Sequence, residues 1–232
     1  MNLFENGLLR YLTPDQLRRI RSQRIGVGGV GGLGSNAALL LVRTGFIHFE
    51  ILDSDVIEPS NLNRQQYFLA EIGQPKVLAL QRRLLAVNPD ADIVTRQIRW
   101  TLQNADEFFK ACDWVMDAFD QARDKRAFIE YYASRGKTVI SGNGMAGLPG
   151  GQPLTVKKQG NIYLTGDGTT DAADGHPPLA PRVTQCAALM AETVLGLTLQ
   201  LAVPTTPCAR CPRKPPSKKP RKSSRCPSTS SA

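Results

Sequence analysis

The segment GGVGGLGS, residues 28–35, does most to limit the folds open to this chain. It contains G-x-G-x-x-G as Gly29-x-Gly31-x-x-Gly34, with Gly32 between. Residues 24–27 before it are a short apolar strand, and residues 35–43 after it a helix closed by Gly45. A glycine turn between strand and helix lets the backbone approach a phosphate, and the helix presents free N–H groups and its positive end to it. Asp53 ends the next predicted strand, residues 49–52, at the distance expected of a ribose-binding acid. A chain built this way starts a βαβ unit and binds a nucleotide.

The rest of the chain extends that grammar. A capping box at Thr13-Pro14-Asp15-Gln16 opens a lead-in helix. Helices are predicted from Gln74-Pro75 to about residue 86, over 104–111 and over 120–134, with strands over 92–97, 114–118 and 138–141. Alternation of this kind argues for a parallel, doubly wound α/β sheet. After Gly142 the pattern changes. Residues 154–157 and 162–165 form two short strands around a Gln159-Gly160-Asn161 turn, an antiparallel hairpin. Glycine-rich connections at 144–151 and 166–181 follow functional logic more than structural logic, and a long helix begins near Arg182. Residues 1–203 are therefore one domain.

Charge and cysteines bound the partners. Eight Lys or Arg and no acid lie in residues 204–232, so of the net +9 only +1 belongs to residues 1–203. A near-neutral body gives little counterion-release drive and argues against nucleic acid. The tail is Pro, Ser, Lys and Arg without core-forming residues, which predicts disorder. Five cysteines without a signal-peptide pattern suit a reducing cytoplasm. The apolar run 186–203 is interrupted by polar residues, so no membrane span is expected. Cys208-Ala209-Arg210-Cys211 lacks the second pair of a zinc site, and no zinc is expected.

The polar cluster after Asp53 selects the chemistry. Asn61, Arg64 and Gln65 sit in a loop at the carboxyl edge of the sheet, and Lys76 falls in the first turn of the next helix. A cation is misplaced at a positive helix end unless an anion joins it. Hydride transfer needs no such set; chemistry on phosphates does. Asp120 follows the apolar run WVMDAFD at the carboxyl edge, where such folds bind ligand. A lone carboxylate beside phosphates holds Mg²⁺, and the bland alternative is a helix cap. Asp117, inside the strand, is the weaker candidate.

The set GGVGGLGS, LDSD, NLNRQ, IGQPK, NP and DAFD resembles the ThiF/MoeB/HesA family, relatives of ubiquitin-activating enzymes, over residues 5–203. PPLAPRV and its long helix are similar to the short ThiF branch, which adenylates the sulfur carrier ThiS. The resemblance implies a Rossmann-like sheet, parallel at first and continued by antiparallel strands, in a homodimer. It implies ATP and Mg²⁺, with the glycines 29, 31, 32 and 34 and Asp53 at the nucleoside and turn. Asn61, Arg64, Gln65 and Lys76 would contact the phosphates, and Asp120 the metal, with Arg64, Lys76 and Asp120 catalytic. The implied partners are a small ubiquitin-like sulfur carrier ending in Gly-Gly and a persulfide donor, in thiamine biosynthesis. A molybdopterin-synthase-type carrier and a tRNA threonylcarbamoyladenosine dehydratase remain open alternatives. Three departures stand out. Gln121 replaces an expected Asn, Thr13 stands where relatives supply an arginine in trans, leaving Arg10 as substitute, and the body lacks paired C-x-x-C motifs.

Overall fold

The computed structural model describes residues 2–147, 152–170 and 174–206. Within them the chain forms six helices and seven strands: α1 (Leu3–Leu8), α2 (Pro14–Ser22), β1 (Arg24–Gly28), α3 (Gly32–Arg43), β2 (His48–Leu52), α4 (Lys76–Val87), β3 (Asp92–Arg96), β4 (Trp114–Asp117), α5 (Ala122–Ser134), β5 (Thr138–Gly142), β6 (Thr155–Gln159), β7 (Ile162–Gly166) and α6 (Ala180–Thr198). The sheet order is β3-β2-β1-β4-β5-β7-β6. All neighbours pair in parallel except β6, which runs against β7. The predicted hairpin exists, with Gln159 opposite Ile162 across a Gly160-Asn161 turn. Its second strand joins the parallel sheet, so only the edge strand β6 runs the other way.

Strand β1, an inner strand beside the central β4, is apolar on one face and empty on the other. Ile25 and Val27 enter the larger core against α3, α4 and α6. Gly26 and Gly28 face the opposite layer, where a Cβ would lie 2.6 Å from the Phe109 ring and 2.8 Å from the Phe128 ring. Missing side chains on the sheet thus admit an aromatic layer of Trp100, Phe108, Phe109, Phe128 and Tyr132. That layer also corrects a predicted element. Residues 104–111 do not form a helix; only Ala105–Glu107 make a single 3-10 turn. Phe109 adopts φ 57°, outside the helical region. Its ring fills the space above Gly26 and its N–H donates to Glu50 Oε2 at 3.0 Å, so tertiary packing overrides local propensity.

The lead-in is as the sequence implies: Thr13 Oγ1 accepts from Gln16 N at 3.2 Å and Gln16 Oε1 accepts from Thr13 N at 2.9 Å. α3 begins three residues earlier than predicted, with Gly31 as its N-cap, so the last glycines of the turn lie inside the helix. α5 instead starts two residues later than predicted, at Ala122 with Gln121 as N-cap, which releases Asp120 from a capping role. Past α6 the chain returns to the sheet, and Thr206 N donates to Val156 O at 2.8 Å beside β6. The C-x-x-C motif and the basic tail expected to be disordered lie outside the described residues. No helix among the described residues is long and apolar enough to cross a membrane.

Candidate active site

The strand order reverses at β1, whose neighbours β2 and β4 leave on opposite sides. Crossovers diverge there, and a crevice opens at the carboxyl ends of the strands. A cleft of roughly 530 Å³ occupies that place. The glycine turn forms its floor. Gly29 has φ +85°, a conformation natural to glycine, and Gly31 and Gly32 also line the cleft. Gly34 does not line it. A Cβ on Gly34 would stand 2.0 Å from Gly29 O, so this glycine lets α3 close onto the turn.

Asp53 shapes the turn from beside it. Its Oδ2 accepts Val30 N–H at 2.7 Å and its Oδ1 accepts Asp55 N–H at 2.8 Å. Burial pushes its carboxyl above the ordinary value, against these two bonds and the charge of Lys76. Each oxygen keeps a free lone pair for a further donor such as a ribose hydroxyl. Tyr67 completes this corner, donating its hydroxyl to Val30 O at 2.7 Å, and burial raises its phenol well above the usual value.

Lys76 is the first residue of α4 and is 6% exposed. The anion that justifies it comes from the chain itself: Nζ donates to Asp55 Oδ2 at 2.8 Å. Two ammonium hydrogens stay available. Arg64 Nη1 donates to Ser60 O at 3.1 Å and Asn63 Oδ1 at 2.8 Å, which holds its stem beside Gly32 at the cleft wall. Gln65 also lines the cleft, and its buried Oε1 has no hydrogen-bond partner. Asn61 is not brought to the cleft: its Oδ1 accepts Glu58 N–H at 3.1 Å and closes the 3-10 turn over Pro59–Asn61.

Across the cleft, Asp120 is exposed in the loop between β4 and α5 and lines the cavity. Its carboxylate makes no hydrogen bond or ion pair with any described residue. No group of three or more metal-ligating side chains exists among the described residues. A hard cation here would take one carboxylate from the protein and complete its shell with phosphate oxygens and water, which is the way Mg²⁺ is held. The single carboxylate is a donor that fits Mg²⁺ held in this way.

Sequence reasoning missed two more ion pairs at this edge. Lys125 Nζ donates to Asp117 Oδ2 at 2.7 Å, and Arg182 Nη2 to Asp167 Oδ2 at 2.7 Å. Arg182 Nε also donates to Ala146 O at 3.1 Å, joining the two connections that wall the far end of the cleft. Burial raises the Asp167 carboxyl, yet four bonds from Thr169 and Thr170 outweigh it and hold the group below the ordinary range. Both cations stand in the first turn of a helix, as Lys76 does. The misplaced-cation argument applied to Lys76 would have found Arg182, while a predicted start at residue 120 set Lys125 beyond the first turn.

Known proteins resemble the chain at three levels. The sequence profile of the ThiF family matches residues 5–230. The "Adenylyltransferase and sulfurtransferase UBA4" of Eremothecium gossypii is 34% identical over 128 residues, 55% of this chain and 29% of the relative. The tRNA threonylcarbamoyladenosine dehydratase of Bacillus subtilis is 32% identical over 132 residues, 56% of this chain and 52% of the relative. The sulfur carrier protein adenylyltransferase of Thermus thermophilus is 32% identical over 136 residues, 58% of this chain and 50% of the relative. The aligned part is thus about half the length of these relatives or less. Among solved structures, the E. coli tRNA threonylcarbamoyladenosine dehydratase in complex with ATP superimposes with a TM-score of 0.75 at 21% identity, covering 84% of this chain and 93% of that one. At that identity the likeness establishes the shared fold.

Proposed function

The chain belongs to the ThiF family, and from that premise we propose that it adenylates a carboxylate with ATP. The acceptor we infer is the C-terminal glycine of a small ubiquitin-like sulfur carrier of the ThiS kind, in thiamine biosynthesis. One observation carries the reading: a single cleft gathers the glycine turn, Asp53, the cations Arg64 and Lys76, and the unpartnered carboxylate of Asp120.

The chemistry asks little of side chains. A terminal carboxylate is already ionised at neutral pH. Its oxygen attacks the α-phosphorus of ATP, the bond from that phosphorus to the bridging oxygen breaks, and pyrophosphate leaves. No proton changes hands. The barrier is charge repulsion and alignment, so positioned donors and cations do the work. Backbone N–H groups at the start of α3 and the spare donors of Lys76 face the phosphates. Arg64 lines the same cleft with its stem against Gly32. Asp53 takes the ribose. Asp120 would hold Mg²⁺, which when bound neutralises phosphate charge. The product is an acyl-adenylate; the terminal sulfur of a separate persulfide donor would then expel AMP to give an acyl disulfide, and a second thiol of that donor would release the thiocarboxylate while forming a disulfide with the first.

A second reading, a carboxylate carried on tRNA, is favoured by the Bacillus subtilis relative. The near-neutral charge of residues 1–203 supports the protein carrier instead. ATP–pyrophosphate exchange decides between them. The full chain should exchange label when a small protein ending in Gly-Gly is added, and not with tRNA. Exchange driven by tRNA alone would reverse the assignment, and binding of NAD without binding of ATP would remove both.

A further inference from the structure

We propose that Lys125, with Asp117 and Ser141, is a positioning device for the loop that carries Asp120, and that metal-dependent nucleotide binding relies on it without its touching the nucleotide. The inference rests on the ATP reading above and deepens it.

Lys125 lies in the first turn of α5 with a side chain only 17% exposed. A cation both buried and set against the positive end of a helix needs strong compensation. It receives it from three acceptors: Asp117 Oδ2 at 2.7 Å, Gly142 O at 3.0 Å and Ser141 Oγ at 3.4 Å. The ammonium is saturated, so it has no donor left to offer a phosphate. Asp117, the last residue of β4, is fully buried and collects three donors: Lys125, the Ser141 hydroxyl at 2.5 Å, and Phe119 N–H on Oδ1 at 3.2 Å.

The network therefore ties the ends of β4 and β5 to the beginning of α5. The segment 118–121 is what connects those tied points. Ala118 N–H donates to Gly28 O at 2.9 Å and Lys125 N–H to Gln121 O at 3.0 Å, so both flanks are held. Asp120 is the member left without a bond of its own. Its place in the cleft is inherited from the network, because nothing else holds it. Removing Lys125 strands a buried carboxylate, which must turn toward solvent and carry Phe119 and the Asp120 loop with it.

The test is calorimetric titration of the full chain with ATP, once with excess Mg²⁺ and once with EDTA, joined to hydrogen–deuterium exchange of residues 118–121. For Lys125→Met we expect at least a tenfold loss of affinity for ATP with Mg²⁺. Metal-free ATP should change by less than twofold, and exchange at 118–121 should accelerate. Lys125→Arg, which keeps charge and reach, should recover most of the loss. Ser141→Ala should move the same readouts in the same direction by less, and it decides the matter if Lys125→Met fails to fold. Equal losses for both forms of ATP would mean direct phosphate contact and overturn the positioning role, as would unchanged binding with Mg²⁺. A wild-type chain that binds no ATP would overturn the function proposed above, and loop exchange alone would then decide the role of Lys125.

Discussion

Substituting Gly34 by alanine separates what the glycine turn does for the fold from what it does for a ligand. The new Cβ would stand 2.0 Å from Gly29 O and 3.0 Å from Gly29 C. Ordinary contact needs about 3.5 Å, so helix and turn must part by more than about 1 Å. The turn cannot yield cheaply. Gly29 is fixed at φ +85°, and its N–H is bonded to Leu52 O at 2.8 Å. Overpacking costs about 1–3 kcal/mol where side chains can shift, and here the obstacle is backbone, so about 3 kcal/mol or more is expected. For a domain of this size each kcal/mol lowers Tm by about 2–4 °C, giving a fall of about 6–12 °C. Gly31→Ala is the control. Its Cβ would meet only Gln65 Nε2 at 3.6 Å, and it points into the cleft. Stability should then move by about 0.5 kcal/mol or less, while ATP binding weakens because a methyl occupies the phosphate's approach. Thermal unfolding by circular dichroism without ligand, followed by ATP titration, reads both. A Gly34→Ala protein that melts with the wild type, or a Gly31→Ala protein that loses as much stability, would refute the division of labour.

Four further outcomes are expected. Asp120→Ala should abolish carrier-driven ATP–pyrophosphate exchange at unchanged Tm, since no described residue bonds to its carboxylate; retained exchange removes the metal assignment. Asp167→Asn leaves Arg182 buried without its carboxylate and should cost about 3–5 kcal/mol at neutral pH in a urea titration. The folded Asp167 carboxyl lies below its unfolded value, so its contribution is full above the ordinary carboxylate range and fades as pH falls through the folded value. The gap between variant and wild type should close in acid, and a pH-independent gap would contradict this. Asn61→Ala should lower stability by about 1 kcal/mol by freeing Glu58 N–H, measurable as a shift in urea midpoint. Phe128→Ala should cost about 3–5 kcal/mol by the same measure, because the ring is fully buried and packs on Trp100, Phe119 and Tyr132 at centroid distances of 5.1, 5.2 and 4.7 Å.

The sequence disclosed what short-range chemistry controls. The glycine turn, the capping box at Thr13, the two-residue hairpin turn and the alternation of strands with helices all rest on neighbours within a few positions. The place of Asp53 beside the glycine turn is legible for the same reason, at a fixed spacing in one βαβ unit. Long-range packing hid the rest. Residues 104–111 have helical composition, yet Phe109 is captured by the space over Gly26 and by Glu50. Gly34 and Gly31 look alike in the string and differ only in whether backbone or open cleft lies opposite. The turn that Asn61 closes through Glu58 N–H shows only in the fold. Asp117 seemed the weaker acid of its pair because its partners, Lys125 and Ser141, come from two other elements.

The parallel neighbours of β1 lie on opposite sides of it in space and both follow it in the chain, one soon and one late. β2 follows it by about twenty residues, whereas β4 pairs Trp114 with Ile25, 114 − 25 = 89 positions along the chain. A nascent chain that ends before β4 can already pair β2 with β1 on one side and β3 on the other. It then owns the glycine turn and Asp53 but not the wall that bears Asp120. Closing so long a loop is slow compared with making the local unit. Nucleotide affinity should consequently appear late and all at once during refolding, after most helix has formed. Stopped-flow ellipticity run beside a fluorescent ATP analogue would then report two events separated by the arrival of one strand.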